Sequence, residues 1–229
     1  ADLAGYEVQM NPPPGYYESA PLFQLVGKPL SGWDVVIKAV TDYCISTILL
    51  LLLSPLFLIV AILIKLDSPG PVIFRQQRLG FNNRVFDIYK FRSMAHHGDT
   101  GAKTVQATNG DPRITRLGRF LRKSSIDELP QLLNVLNGTM SLVGPRPHAV
   151  DHNEDYAKKI RGYFARHRVK PGITGLAQIK GYRGLTDTVD KMEKRVRYDI
   201  EYTEKWSPAL DLKILMLTPY AVLLGKNAV

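Results

Sequence analysis

Two acids stand side by side, Asp127 and Glu128, in the stretch SSIDELPQ (residues 124–131). Their flanks are basic, RLGRFLRK at 116–123 and GPRPH at 144–148. A surface stabilised by ion pairs intersperses its signs. A carboxylate pair framed by Arg and Lys instead suits a phosphorylated ligand, with or without a metal ion. Adjacent helical residues point about 100° apart, so the two carboxylates would take different jobs: one as nucleophile, the other on a metal ion or a proton. Capping is an equal reading of the same residues. Asp127 can be an N-cap with Pro130 in the first turn, or Ser125 and Glu128 can form a capping box with Pro130 deeper in the helix. A helix starting here would also present free N–H groups and a positive dipole end to a phosphate.

The basic candidates are Lys90, Arg92, Arg122, Lys123 and Arg146. Any one of them alone is ordinarily a solvated surface charge. Arg146 stands out because it follows Gly144 and lies between Pro145 and Pro147, in a stiff loop that pre-orders its fork for phosphate. His148, Asp151 and His152 give a fainter metal pattern, since HAVDH lacks the acid placement of HExxH. The sequence contains no GxxxxGK[ST], no GxGxxG and no Asp-x-Asp. It has the charge for nucleic-acid binding but none of the motifs, so no nucleic-acid partner is expected.

Those residues need a scaffold, and the totals allow one. The chain has 229 residues, 45% hydrophobic and 22% charged, enough for one or two domains with a core. A net charge of +9 implies an anionic partner: nucleic acid, phospholipid or a nucleotide. The single cysteine, Cys44, excludes an intrachain disulfide. The chain begins at Ala1 and its first 33 residues, with NPPPGYYESAP, read as a linker, so an upstream module is expected.

Residues 44–64, CISTILLLLLSPLFLIVAILI, are 21 residues without a charge, long enough to span a bilayer core. Ser54-Pro55 near its middle bends a helix. A kinked spanning helix and a re-entrant helix that returns to the same face both fit, and Lys38, Asp42, Lys65 and Asp67 leave charge at both ends. Two β-rich runs around LGFNN within 71–94 predict a hairpin, and 95–112 a loop. Ile114, Leu117, Phe120 and Leu121 predict a basic amphipathic helix over 114–125. A short helix over 131–138 ends at Gly138, and a charged helix covers 186–206. The apolar run 214–225 is too short to span; it packs in the core or lies in the membrane interface, the latter favoured.

The stretches SPGPVIFRQQRLGFNNRVFDIYKFRSM and DPRITRLGRFLRKSSIDELPQLLNVLNGTMSLVGPRP closely resemble the bacterial monotopic phosphoglycosyl transferases, also called bacterial sugar transferases. The resemblance covers residues 34–229. The later segments RVKPGITGLAQIKGYRG and MEKRVRYDIEYTEKWSPALDLKI look like the larger members that start exopolysaccharide repeat units, undecaprenyl-phosphate glucose phosphotransferases among them. Such members usually carry extra N-terminal transmembrane helices and a soluble domain, which accords with the linker-like start.

The resemblance implies an α+β, mainly helical fold: linker-like 1–33, a re-entrant membrane helix over 34–67 broken at Ser54-Pro55, and a catalytic domain over 68–229 with a small β-hairpin and amphipathic helices. It implies transfer of a sugar-1-phosphate from a UDP-sugar, UDP-glucose first and UDP-galactose next, to undecaprenyl phosphate. Asp127 would be the nucleophile, releasing UMP and holding a phosphosugar. Glu128 would be its partner on Mg²⁺ or a proton, with Asp127 and Glu128 as metal ligands. Lys90, Arg122, Arg146 and Pro147 would form the phosphate site. The location implied is the cytoplasmic face of a bacterial inner membrane, against phospholipid, with a homodimer left open. Thr139 stands where the family usually has Asp, and Ala39 where Arg is common. Two other classes compete: a membrane-anchored module that binds anions without catalysis, and a membrane phosphatase with water as acceptor.

Overall fold

The computed structural model describes residues 32–95, 111–148, 162–184 and 188–224, together with 7–8, 25–26, 30, 156–157 and 159–160. Within the linker-like segment, β1 (Glu7–Val8) pairs antiparallel with β2 (Leu25–Val26).

Helix α1 runs from Trp33 to Asp67, 35 residues, and continues through Ser54 and Pro55. The expected break is therefore not an interruption of the helix. Pro55 has no N–H for the carbonyl of Leu51 four residues earlier, and the Ser54 hydroxyl donates to that carbonyl at 2.8 Å instead. A serine before the proline thus satisfies an acceptor that an apolar environment would leave bare. At the far end Arg92 donates to the carbonyls of Ile64 (3.0 Å), Ser68 and Pro71 (2.7 Å), closing the helix C-terminus.

The predicted hairpin is present as β3 (Ile73–Leu79) and β4 (Val85–Phe91), in register Ile73↔Phe91 to Leu79↔Val85. Asn82 and Asn83 at its turn adopt positive φ, 51° and 57°, which Asn tolerates better than most residues. Strand alternation turns Phe86, Ile88 and Lys90 to one face and Phe91 to the other. The ladder places Arg78 opposite Phe86, on the Lys90 face.

Helix α2 (Arg116–Ser124) fulfils the amphipathic prediction; Thr115 caps it through Gly118 N–H at 2.9 Å. Gly118 lets α2 meet the chain after β4, since a Cβ there would stand 1.9 Å from the carbonyl oxygen of Ser93. Helix α3 (Gln131–Leu136) follows. Its Asn134 accepts from Tyr89 N–H (2.9 Å) and donates to the Asp87 carbonyl (2.7 Å), clipping the hairpin to the helix. Strands β5 (Ser141–Val143) and β6 (Gly172–Thr174) pair in parallel. They interlock so closely that a Cβ on Gly144 would lie 2.4 Å from the Lys170 carbonyl oxygen. A short α4 (Leu176–Ile179), the charged α5 (Val189–Glu204) and α6 (Pro208–Leu224) complete the described chain.

One core joins Ile88, Leu132, Met140, Leu142, Tyr202 and Ile214 with Ile45, Leu49 and Leu50 of α1. A second joins Phe91 and Leu121 with Phe57, Val60 and Ile64 of the same helix. The opposite side of α1 leaves Ile48, Leu51, Leu52, Leu58 and Ile59 more than half exposed. On α6, Ile214 is fully buried while Leu212, Met216 and Tyr220 are exposed, so one face of the helix packs in the core. An uncovered apolar surface of this extent suits association with a membrane.

Candidate active site

Between α2 and α3 the chain makes a single 3-10 turn, Ile126–Glu128, entered through Ser125 at φ 60°. Neither capping arrangement occurs: the residue before α3 is Pro130, and no side chain caps that helix. The turn instead buries both acids, with Asp127 8% and Glu128 7% exposed. At three residues per turn, neighbours diverge by about 120°, so the two carboxylates face different surroundings.

Glu128 sits in a cage of cations. Lys90 Nζ lies 2.8 Å from Oε1, Arg146 grips both oxygens at 2.6 and 3.1 Å, and Arg183 Nη2 lies 3.5 Å from Oε2. Burial alone would raise its pKa, but Arg146, Lys90 and Arg183 together hold it well below the usual carboxylate range. Asp127 accepts no hydrogen bond from the described residues. Burial and the Glu128 charge push it up to about 6, against the pull of Lys90, Arg122 and Arg146. The result is one permanently ionised, fully bonded carboxylate beside one open carboxylate whose charge is poised near neutral pH.

A buried layer behind the cage positions its arginines. Arg166 donates to the Arg146 carbonyl at 2.6 Å and pairs with Asp199 of α5 at 2.7 Å. Arg195 of α5 holds the next loop through the carbonyls of Tyr182 (2.7 Å) and Gly184 (2.6 Å), which fixes Arg183 between them. The His148 ring lies between Arg166 and Arg195. Burial and these cations hold its pKa well below normal, so it stays neutral.

Asp127, Glu128, Lys90 and Arg146 thus come together as expected, and Arg122 acts on Asp127 electrostatically. Pro147 is buried in the loop behind Arg146. Arg92 caps α1, and Lys123 is exposed. Thr139 bonds the Asn134 carbonyl at 3.1 Å, a structural contact. Of the faint metal pattern, Asp151 and His152 lie outside the described residues, and no group of three metal-binding side chains occurs among the described ones. Sequence reasoning missed Arg183, which also donates to Ser125 Oγ at 2.6 Å, and Arg78, half-buried and in the field of Arg146 and Glu128. The only local signal for Arg183 was a base between glycines in GYRG.

The profile described as "Bacterial sugar transferase" matches residues 33–225. The chain is 52% identical over 208 residues to a UDP-glucose:undecaprenyl-phosphate glucose-1-phosphate transferase of Escherichia coli (strain K12), covering 91% of this chain and 45% of that protein. It is 46% identical to the exopolysaccharide production protein PSS of Rhizobium leguminosarum bv. phaseoli, covering 81% of this chain and 94% of that protein. It is 44% identical to a UDP-N-acetylgalactosamine-undecaprenyl-phosphate N-acetylgalactosaminephosphotransferase of Aeromonas hydrophila, covering 84% and 45%. The chain therefore spans less than half the length of the first and last of these relatives. With the family profile covering most of its length, and a relative 46% identical over 94% of that relative's own length, the chain belongs to the bacterial sugar transferase family.

Proposed function

We propose that the protein transfers glucose-1-phosphate from UDP-glucose to undecaprenyl phosphate through a covalent intermediate on Asp127. An Asp127 oxygen attacks the β-phosphorus, the bond to the bridging oxygen breaks, and its electron pair leaves with UMP. An oxygen of the lipid phosphate then attacks the acyl phosphate, and the Asp127 carboxylate departs. The observation that carries this reading is the contrast within the pair: Asp127 is open and ionisable near neutral pH, while Glu128 holds Lys90, Arg146 and Arg183 in place. Those cations, with Arg122, are preorganised for charge developing on the phosphates. Glucose rests on the similarity to the Escherichia coli protein; the Aeromonas relative makes N-acetylgalactosamine the second donor to test.

Mg²⁺ carried on the donor's two phosphates would neutralise charge on departing UMP. Asp127 offers it a free oxygen of the hard type it favours. Glu128, whose oxygens are taken by three cations, joins it only by giving one up.

We read α1 as re-entrant on the cytoplasmic face. Asp42 near its start accepts from Leu142 N–H at 3.1 Å, and Ile64 near its end accepts from Arg92. A helix tied at both ends to one water-facing domain has no need to cross. In a Cys44→Ser background, single cysteines at Ser31 and Ser93 should label from the same side of intact cells; opposite sidedness would make the helix spanning.

The decisive experiment incubates the protein with UDP-glucose, Mg²⁺ and no lipid. Mass spectrometry should find a hexose-phosphate adduct on the peptide containing Asp127, and undecaprenyl phosphate should discharge it. Discharge by water alone would indicate a phosphatase, and no adduct with no UMP release a non-catalytic anion-binding module. Excess EDTA should abolish UMP release and Mg²⁺ restore it.

A further inference from the structure

Next to the paired acids lies a buried donor without an acceptor. Gln131, the first residue of α3, is 1% exposed, and its Nε2 meets no hydrogen-bond partner among the described residues. A buried amide left unpaired costs stability in the resting structure. Asp127 is its counterpart, a buried carboxylate that accepts nothing from the described residues. The chain between them winds without a break: the 3-10 turn Ile126–Glu128, then Leu129 and Pro130 in right-handed helical conformation, then α3. Residues four apart on such a winding share a side, and helical side chains lean towards the N-terminus. Gln131 therefore leans back towards the turn that carries Asp127. The next turn fixes its bearing. Asn134, three residues on, bonds the Tyr89 N–H and the Asp87 carbonyl of β4, and Lys90, next along that strand, reaches Glu128. Glu128 has its oxygens filled by Lys90, Arg146 and Arg183, which leaves Asp127 as the open acceptor at that end of the helix.

We propose that Gln131 is a positioning residue for the nucleophile: with the sugar donor bound, its amide N–H donates to the Asp127 oxygen that does not attack. This rests on the proposed covalent transfer and deepens it. Such a bond fixes the plane of the carboxylate, so that its other oxygen points at the β-phosphorus, and it favours the ionised form that attacks. The bonded oxygen becomes the carbonyl oxygen of the acyl phosphate. When the lipid phosphate attacks the phosphorus, the P–O bond to Asp127 breaks and its electron pair returns to the carboxylate. The amide N–H then meets the returning charge. The proton stays on the Gln131 nitrogen throughout, and an amide does not titrate, so the same group serves both steps.

Gln131→Met keeps the length and volume of the side chain and deletes the donor. On the full chain in nanodiscs, rapid-quench mass spectrometry follows the Asp127 adduct at saturating UDP-glucose without lipid, then its discharge by undecaprenyl phosphate. Both rate constants should fall about tenfold to a hundredfold, the scale of one hydrogen bond to a charged group. The UDP-glucose concentration that gives half the maximal adduct rate should stay within about twofold. The melting temperature should match or exceed the parent's, since no buried donor is left unpaired. The acid limb of adduct formation should move up by about one pH unit, because a carboxylate that loses a donor is harder to ionise. Gln131→Glu supplies the second test: its activity relative to the parent should fall further as pH rises from about 6 to about 8, as the side chain changes from donor to like charge. An adduct that forms and discharges at parental rates in Gln131→Met, with an unmoved acid limb, overturns the inference and leaves the transferase reading standing. So does a lowered melting temperature with parental rates per folded molecule, which would make the amide a packing element. No Asp127 adduct in the parent overturns the covalent transfer and this inference together.

Discussion

Two of the buried charge clusters among the described residues are built on opposite terms. At the junction of α1, α6 and β5, Lys38 lies 2.7 Å from Asp211 and 3.3 Å from Asp42. The remaining valences are filled: Tyr202 donates to Asp211 at 2.8 Å, Trp206 to Asp211 at 3.2 Å, and Leu142 N–H to Asp42. Burial and the Asp211 charge push the Tyr202 phenol well above its usual range, so it remains a donor. Here acids outnumber the cation, and neutral donors close the set. At the Asp127–Glu128 turn the balance is reversed. Lys90, Arg122, Arg146 and Arg183 surround two carboxylates, one of which is left open. A closed cluster fixes architecture, whereas an open one with surplus cation is prepared for an anion that arrives later.

The two clusters should respond to substitution in opposite ways. The largest effect expected is on chemistry: Asp127→Asn should lower UMP release on the order of 10⁴-fold or more, since an amide cannot replace a carboxylate nucleophile. Its folding should not suffer. The folded-state pKa of Asp127 is raised to about 6 from an ordinary value near 4, so its ionised form opposes folding above that range. Denaturant titration at pH 8 should therefore show Asp127→Asn as stable as the parent or more stable, by up to about 2–3 kcal/mol.

Asp211→Ala should do the opposite. It leaves Lys38 with only its longer contact, strips Trp206 of its acceptor and leaves the Tyr202 hydroxyl only the Val143 carbonyl at 2.9 Å, so stability should fall by about 3–5 kcal/mol. Specific activity per folded molecule should hold within a few-fold, read by normalising turnover to the fraction that survives gel filtration.

The pH dependence sharpens the contrast further. The nucleophilic form of Asp127 is lost as pH falls through about 6. Adduct formation should then drop about tenfold per pH unit below that point. Glu128, held far lower by its cations, should contribute no titration in that window. A flat profile between pH 5 and 7.5 would remove Asp127 from the chemical step.

The smallest expected effect lies in α1. Ser54→Ala frees the Leu51 carbonyl beside Pro55 and should cost about 1–3 kcal/mol. Hydrogen exchange should quicken at the residues flanking Pro55 while the adduct assay stays unchanged.

Much of this was legible in the chain because it depends on local pattern. The uncharged run over 44–64 marked the long helix, the two β-rich runs gave the hairpin around LGFNN, and Leu117, Phe120 and Leu121 gave α2. The adjacent acids, the Pro-flanked Arg146 and Lys90 marked the centre of the site, and ordered family motifs assigned it. Other features belong to packing alone. A carboxylate's role depends on which cations fold against it, and those come from β4, the β5 loop and the 181–184 loop, up to 55 residues away. So only the tertiary structure could separate Glu128 from Asp127, replace the anticipated cap by a buried 3-10 turn, recruit Arg183 and retire Arg92 to a helix end. It also carried α1 past Pro55 unbroken, because the hydroxyl that replaces the missing donor acts only once the backbone is already helical. Sequence fixes which groups exist and their local geometry; burial and long-range proximity set their charge, and charge decides what they do.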